Sequence, residues 1–145
     1  MTTATAPFQW PVRVYWEDTD AGGIVFYANY LKFFERARTE WLRHLGVSQH
    51  DLRERTGGMF VVSGTELRYH RPARLDDSLC ITAALAESGR ASLVIDQQAW
   101  LGAPGTTLLC EGRIRIGWID ALRFRPQRIP AEVLQALQAS TPPAS

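Results

Sequence analysis

The chain has 145 residues, 46% of them hydrophobic and 21% charged, with a formal net charge of +1. That length suits one domain with a core of its own, and the composition excludes a disordered chain. The near-neutral charge gives no polyanion-binding signal, so nucleic acid is not an expected partner, and no run reaches the roughly 18 apolar residues of a transmembrane segment.

The first residues, Met1 to Pro7, lack the basic start and apolar run of a signal peptide, which predicts a cytoplasmic protein. Trp10 to Trp16 is predicted as a strand, with Val12 and Val14 alternating against Arg13 and Tyr15. Asp18 to Gly23 breaks it, because Asp, Thr and paired glycines favour turns. A long helix is predicted from about Ala28 to Leu45, closed by Gly46. At helical spacing Tyr30, Phe33, Phe34, Ala37, Trp41 and Leu45 share one sector, widened by Leu31 and Leu42. So broad and aromatic a face suits a helix enveloped by sheet. Arg38 falls on the edge of that sector, three residues from Glu35, and a partly buried structural Glu35–Arg38 ion pair is expected.

A short helix is predicted from an N-cap at Ser48 to about Arg55, ending at Gly57-Gly58. The period then changes to two. Phe60–Tyr69, Leu79–Glu87, Ala91–Leu101 and Thr107–Ile119 each read as strands. In the last, Leu108, Cys110, Ile114, Ile116 and Trp118 are expected on one face, with Glu111, Arg113 and Arg115 on the other. Pro130 opens a short amphipathic helix. One helix followed by consecutive antiparallel strands is an α+β arrangement. Cys80 and Cys110 lie in apolar alternating segments and are expected as reduced core thiols. His44, His50 and His70 have no metal-ligand spacing, so no metal is expected.

The chemistry concentrates at Asp18-Thr19-Asp20-Ala21-Gly22-Gly23, between the first strand and the long helix. Glycines let backbone approach a ligand closely, and the helix start offers unpaired N–H groups and roughly half a positive charge. A carboxylate facing such amides suits acyl chemistry, where one preorganised donor contributes about 3–4 kcal/mol. The same residues also fit a helix cap with solvated charges. The residues alone leave both readings open.

The stretch Val14 to Tyr30, with Asp18-Thr19-Asp20-Ala21-Gly22-Gly23-Ile24-Val25-Phe26-Tyr27 at its centre, continues into Phe34-Glu35-Arg36-Ala37-Arg38 and later Tyr69-His70-Arg71-Pro72. These segments resemble the 4-hydroxybenzoyl-CoA thioesterase family, and within it the YbgC-like acyl-CoA thioesterases associated with the Tol–Pal system. The resemblance implies a hot-dog fold, a long central helix wrapped by a curved antiparallel sheet of about five strands. Residues 1–139 would form one such domain and 140–145 a flexible tail. It implies acyl-CoA hydrolysis without a cofactor, by a homodimer or homotetramer with its site at the subunit interface. Asp20 corresponds to the family's catalytic aspartate, as nucleophile or general base, and the Tyr27 amide to the group that polarises the carbonyl. Gly22, Gly23, Ile24 and Val25 would line the substrate.

Many YbgC-like members carry histidine where this chain has Tyr27, whose phenol titrates near ~10 and supplies no neutral-pH base; the amide role is unaffected. Asp18 is expected as a turn or cap residue, and Glu35 is the other carboxylate that some hot-dog branches would use. Arg71, Arg74, Arg123, Arg125 and Arg128 are candidates for the CoA phosphates. Acyl carrier protein is the alternative carrier. Two rival readings stay open. One is a hot-dog dehydratase, against which no histidine sits near Asp20 in sequence. The other is a non-catalytic acyl-CoA or acyl-carrier-protein binding protein, or an envelope-assembly protein.

Overall fold

A computed structural model describes residues 7–140. Strand β1 (Phe8–Arg13) leads through a 3-10 turn (Trp16–Asp18) to helix α1 (Asn29–His44) and helix α2 (Gln49–Thr56). Strands β2 (Gly58–Tyr69), β3 (Ser78–Ser88), β4 (Ser92–Leu101) and β5 (Thr107–Asp120) follow, then helix α3 (Ala131–Ala139). The strands form one open antiparallel sheet in the order β1-β3-β4-β5-β2. This is the expected α+β hot-dog arrangement.

β1 starts at Phe8 and stops at Arg13, short of the predicted Trp16. Val14 instead bonds outside the ladder, its N–H to the Asp77 carbonyl and its carbonyl to the Asp76 N–H, both at 3.0 Å. α2 carries the expected caps: Ser48 Oγ accepts the Asp51 N–H, and Gly57 takes the left-handed φ of 73°. Ser140, predicted as the start of the tail, caps α3 through its N–H and hydroxyl to the Leu137 carbonyl. Residues 141–145 lie outside the described residues.

α1 packs on one face of the sheet against β1, β3 and β4. Tyr30, Phe33, Phe34, Ala37, Trp41 and Leu42 are all buried, whereas Leu31 is exposed and Leu45 half-buried. Phe34 sits close because β5 has glycine beneath it. A Cβ on Gly112 would lie 2.7 Å from Leu67 Cδ2 and 3.0 Å from Phe34 Cε2. The expected face of β5 holds for Cys110, Ile114, Ile116 and Trp118 but not for Leu108. The β4–β5 register jumps from Ala99↔Cys110 to Trp100↔Leu108, so Leu109 is the extra residue of a bulge and turns into the core.

The Glu35–Arg38 ion pair is not formed. Arg38 Nη1 donates to Gln97 Oε1 at 2.9 Å, while Glu35 is exposed and accepts from the Thr39 hydroxyl. Gln97, 1% exposed, also donates to the carbonyls of Phe34 (3.0 Å) and Thr82 (3.3 Å). A neutral amide that reaches both helix and sheet satisfies the half-buried guanidinium without burying a second charge. Burial lowers the Arg38 pKa, and the Glu35 charge opposes that shift from a distance.

Candidate active site

The segment joining β1 to α1 is a tight two-stranded ladder. Thr19 bridges Val25 antiparallel, Asp20 N–H donates to the Ile24 carbonyl at 2.9 Å, and Gly23 N–H donates to the Asp20 carbonyl at 3.0 Å. Gly23 closes the turn at φ +77°, a conformation open to glycine at no steric cost. Asp20 is exposed, and its Oδ1 accepts the Gly22 N–H at 2.8 Å. A Cβ on Gly22 would stand 3.2 Å from that same oxygen. Among the described residues no further partner holds the carboxylate, so Oδ2 remains available for chemistry.

The two aspartates of the turn have separate parts. Asp18 is 4% exposed and its Oδ2 accepts the Tyr15 N–H at 2.8 Å, closing the 3-10 turn. The Asp18 carbonyl accepts from Phe26 N–H (3.0 Å) and Asn29 Nδ2 (2.8 Å). Asp18 therefore ties the turn to the helix start, as expected for a structural residue.

α1 begins at Asn29 with Ala28 as N-cap, no side-chain cap and no acid in its first turn. Among the described residues, no acceptor faces the N–H of Tyr27 or of Ala28. Two free donors thus stand at the positive end of a 16-residue helix. Such a pair is suited to an oxygen that gains negative charge.

Aromatic rings frame this start. Tyr27 packs on Phe26 (centroids 4.8 Å apart) and edge-on to Tyr69 (6.1 Å), and Tyr69 Oη donates to the Tyr27 carbonyl at 3.2 Å. Burial raises the phenol pKa of both Tyr69 and Tyr30, so both stay protonated at neutral pH. The buried Tyr30 hydroxyl accepts the Ala73 N–H at 3.2 Å, Val25 N–H donates to the Ala73 carbonyl, and Ile24 bridges Arg74. The turn, the helix start and the segment after β2 are one connected unit.

Residues 22–114 match the sequence profile of the Thioesterase superfamily. The chain belongs to that family. It is 44% identical over 131 residues to the acyl-CoA thioester hydrolase YbgC of Escherichia coli O6:H1, covering 90% of this chain and 95% of that one. Among solved structures, a probable thioesterase from Bartonella henselae has a TM-score of 0.79 at 32% identity, covering 86% of this chain and all of that one. A 1,4-dihydroxy-2-naphthoyl-CoA thioesterase from Synechocystis has a TM-score of 0.83 at 18% identity, covering 92% and 96%, and shares the fold.

Within this thioesterase-superfamily chain, the residues singled out in the sequence fall into separate groups. Asp20, Gly22, Gly23 and Ile24 lie together in the turn, with Arg74 beside Ile24 and Arg71 just after β2. Val25 is a core residue, 4% exposed, and frames the turn rather than facing solvent. Arg123 and Arg125 follow β5 at the other end of β2, where Gly58 pairs with Asp120. The intervening 12 residues of β2 span about 35–40 Å, so these arginines cannot meet their own chain's Asp20 turn. Glu35 lies in a shallow groove with Trp10, Arg36, Thr39, Glu40 and Arg43, apart from Asp20.

Two features escaped the sequence reading. Tyr69 reaches Tyr27 only because β2 ends beside the helix start, a non-local relation with no local signal. His70 stands 3.7 Å from Glu111 Oε2, bringing a histidine–carboxylate pair to the end of β2. Glu111 itself lines a polar depression of about 440 Å³, with Glu66, Arg68, Asp96, Gln98 and Arg113 among its other lining residues. No helix of the described residues is long and apolar enough to cross a membrane.

Proposed function

We propose that the protein hydrolyses acyl-CoA thioesters to the free acid and CoA, with Asp20 as the reacting carboxylate. The observation that carries this reading is the pairing of two free donors, the Tyr27 and Ala28 amides, with a neighbouring carboxylate that keeps one oxygen unengaged. The thioester carbonyl oxygen sits on those amides, which stabilise the negative charge that develops as the carbon becomes tetrahedral. The likeness to the YbgC hydrolase supports CoA as the carrier.

Asp20 acts from the open face of that carbonyl. As a nucleophile it bonds the carbonyl carbon, CoA leaves as thiolate, and water cleaves the resulting anhydride to restore the carboxylate. As a general base it takes a proton from water while the water oxygen bonds the carbon. Either route consumes one water and releases acid and thiol. The Gly22 N–H fixes Oδ1 and leaves Oδ2 to react.

The working unit is a homodimer joined through β2. That strand is 12 residues long and is paired on one side only, by β5, with Val62 51% exposed on it. A strand edge of that length with an apolar side chain calls for a partner strand.

A thiol-release assay across aromatic and aliphatic acyl-CoAs tests the reading. Asp20→Asn should lower kcat by on the order of 10³ or more while the fold is kept. A wild-type chain that releases no thiol above background, or an active Asn variant, removes it.

A further inference from the structure

The peptide that joins Tyr27 to Ala28 has two ends with different neighbours. Its N–H, on Ala28, is one of the two free donors proposed for the thioester oxygen. Its carbonyl, on Tyr27, accepts the Tyr69 hydroxyl at 3.2 Å. Among the described residues no backbone N–H donates to that carbonyl. It lies one position before the N-cap Ala28, and the helix start closes around it, through Asn29 N–H to the Phe26 carbonyl and Leu31 N–H to the Ala28 carbonyl. The peptide is therefore held by a side chain 42 residues further along the chain.

Tyr69 is well mounted for that task. It ends β2 paired with Cys110, and the next two N–H groups, of His70 and Arg71, both donate to the Leu109 carbonyl (2.8 and 3.1 Å). Its ring packs on the buried Tyr30 with centroids 5.7 Å apart, and edge-on to Tyr27 at 6.1 Å. These contacts aim the ring, and the hydroxyl is left to reach one carbonyl oxygen.

A planar peptide carries what happens at one end to the other. Pinning the oxygen fixes the direction of the N–H. A hydrogen bond to the oxygen also draws electron density from the nitrogen, so the N–H becomes a stronger donor, and each bond in such a chain strengthens the next. The gain grows as the substrate oxygen becomes an anion. It is larger in the transition state than with bound thioester, and falls on kcat more than on KM. At 3.2 Å the Tyr69 bond is longer than the usual O–H···O distance of about 2.7–2.8 Å, and it has room to tighten as charge develops.

We infer that Tyr69 is a positioning residue for the hydrolysis: its hydroxyl orients and polarises the Tyr27–Ala28 peptide, so that the Ala28 N–H meets the thioester oxygen as a fixed, strengthened donor. This rests on the thioesterase reading above.

Tyr69→Phe keeps the ring and removes the hydroxyl. In the acyl-CoA assay kcat should fall about tenfold, with KM within about twofold of wild type and the melting temperature unchanged. In amide NMR spectra the Ala28 nitrogen resonance should move upfield, and by more than that of Tyr27. Position 69 is then filled with monofluoro- and difluorotyrosine, the fluorines beside the hydroxyl, and assayed where both phenols are protonated. A more acidic phenol donates more strongly, so kcat should rise from tyrosine through the series by about twofold a step, a trend that packing alone does not produce. An unchanged kcat in Tyr69→Phe, a loss carried by KM or by the melting temperature, or a kcat blind to phenol acidity overturns the inference. A wild-type enzyme without turnover is instead a failure of the thioesterase reading and takes the catalytic role with it. The Ala28 resonance then decides the hydroxyl–peptide coupling by itself, and an unmoved one overturns that too.

Discussion

Arg38 of the central helix donates to Gln97 in the middle of the sheet, and Gln97 passes hydrogen bonds on to Phe34 and Thr82. The helix is thus fixed to the sheet by one amide as well as by its apolar face. Gln97→Leu keeps the volume but strips the guanidinium and two carbonyls of their partner, and should cost about 1–3 kcal/mol. Glu35→Gln should change stability by less than about 0.5 kcal/mol, since that carboxylate is exposed and holds only Thr39. Urea denaturation of both variants separates this arrangement from a Glu35–Arg38 pair, which requires the larger loss at Glu35.

Gly22→Ala is a test of the carboxylate's placement. Its Cβ would stand 3.2 Å from Asp20 Oδ1, so the carboxylate must move by a few tenths of an ångström or turn. Position 22 does not have positive φ, and the fold should tolerate the change. The expected outcome is a roughly 10- to 100-fold loss of kcat with a melting temperature close to wild type. Unchanged kcat would separate the Gly22 contact from catalysis.

Alkaline pH should weaken the core at a defined point. Burial, with the Glu111 charge adding to it, pushes the Cys110 thiol up to about 12 from an ordinary 9.0, and burial raises the Tyr30 phenol above 10.0. Both are acids whose ionised form the fold disfavours, so the folded chain keeps protons that the unfolded chain releases. Their contribution is whole below the ordinary values and falls as pH rises past 9.0. Unfolding midpoints compared at about pH 7 and about pH 10.5 should show the fall, and Cys110→Ala should flatten it. In thiol labelling of the folded chain, the half-buried Cys80 should react and the buried Cys110 should not.

The loop after β5 has the opposite dependence. Leu122 and Arg123 N–H groups hold the Asp120 carboxyl below its ordinary 3.8, so its contribution is present above that value and is lost as pH falls beneath it. Amide resonances of Leu122 and Arg123 should titrate together with a midpoint below 3.8. Asp120→Ala should loosen the same amides at neutral pH, read as faster hydrogen exchange. Protection equal to wild type would mean that the turn is held by its backbone alone.

Periodicity carried most of the fold into view. The helix face around Phe33 and Phe34, the caps at Ser48 and Gly57, and the four later strands are local patterns, visible wherever side chains alternate or recur. What stayed hidden depends on register. Leu109 enters the core through a bulge defined by its pairing with β4, so simple alternation chose Leu108. Arg38 sits three residues from Glu35, an opposite charge about one helical turn away, yet its partner is 59 residues away on a neighbouring strand. The Asp20 turn was legible because its chemistry is contiguous. Arg123 and Arg125 looked equivalent to Arg71 and Arg74 as cations, and only the length of β2 puts the two pairs at opposite ends.

The uncapped start of α1 has a consequence for how this enzyme can be improved. Ala28 occupies the position where Ser, Asp or Asn would add about 1 kcal/mol to the helix, and directed evolution for heat resistance would find that change early. The new side chain would bond the N–H of Tyr30 or Leu31, two and three residues on, and leave the Tyr27 and Ala28 donors proposed for the substrate free. A cap at position 28 would therefore stiffen the helix start beside the proposed site without filling the two donors themselves, so heat resistance and activity can be selected together there.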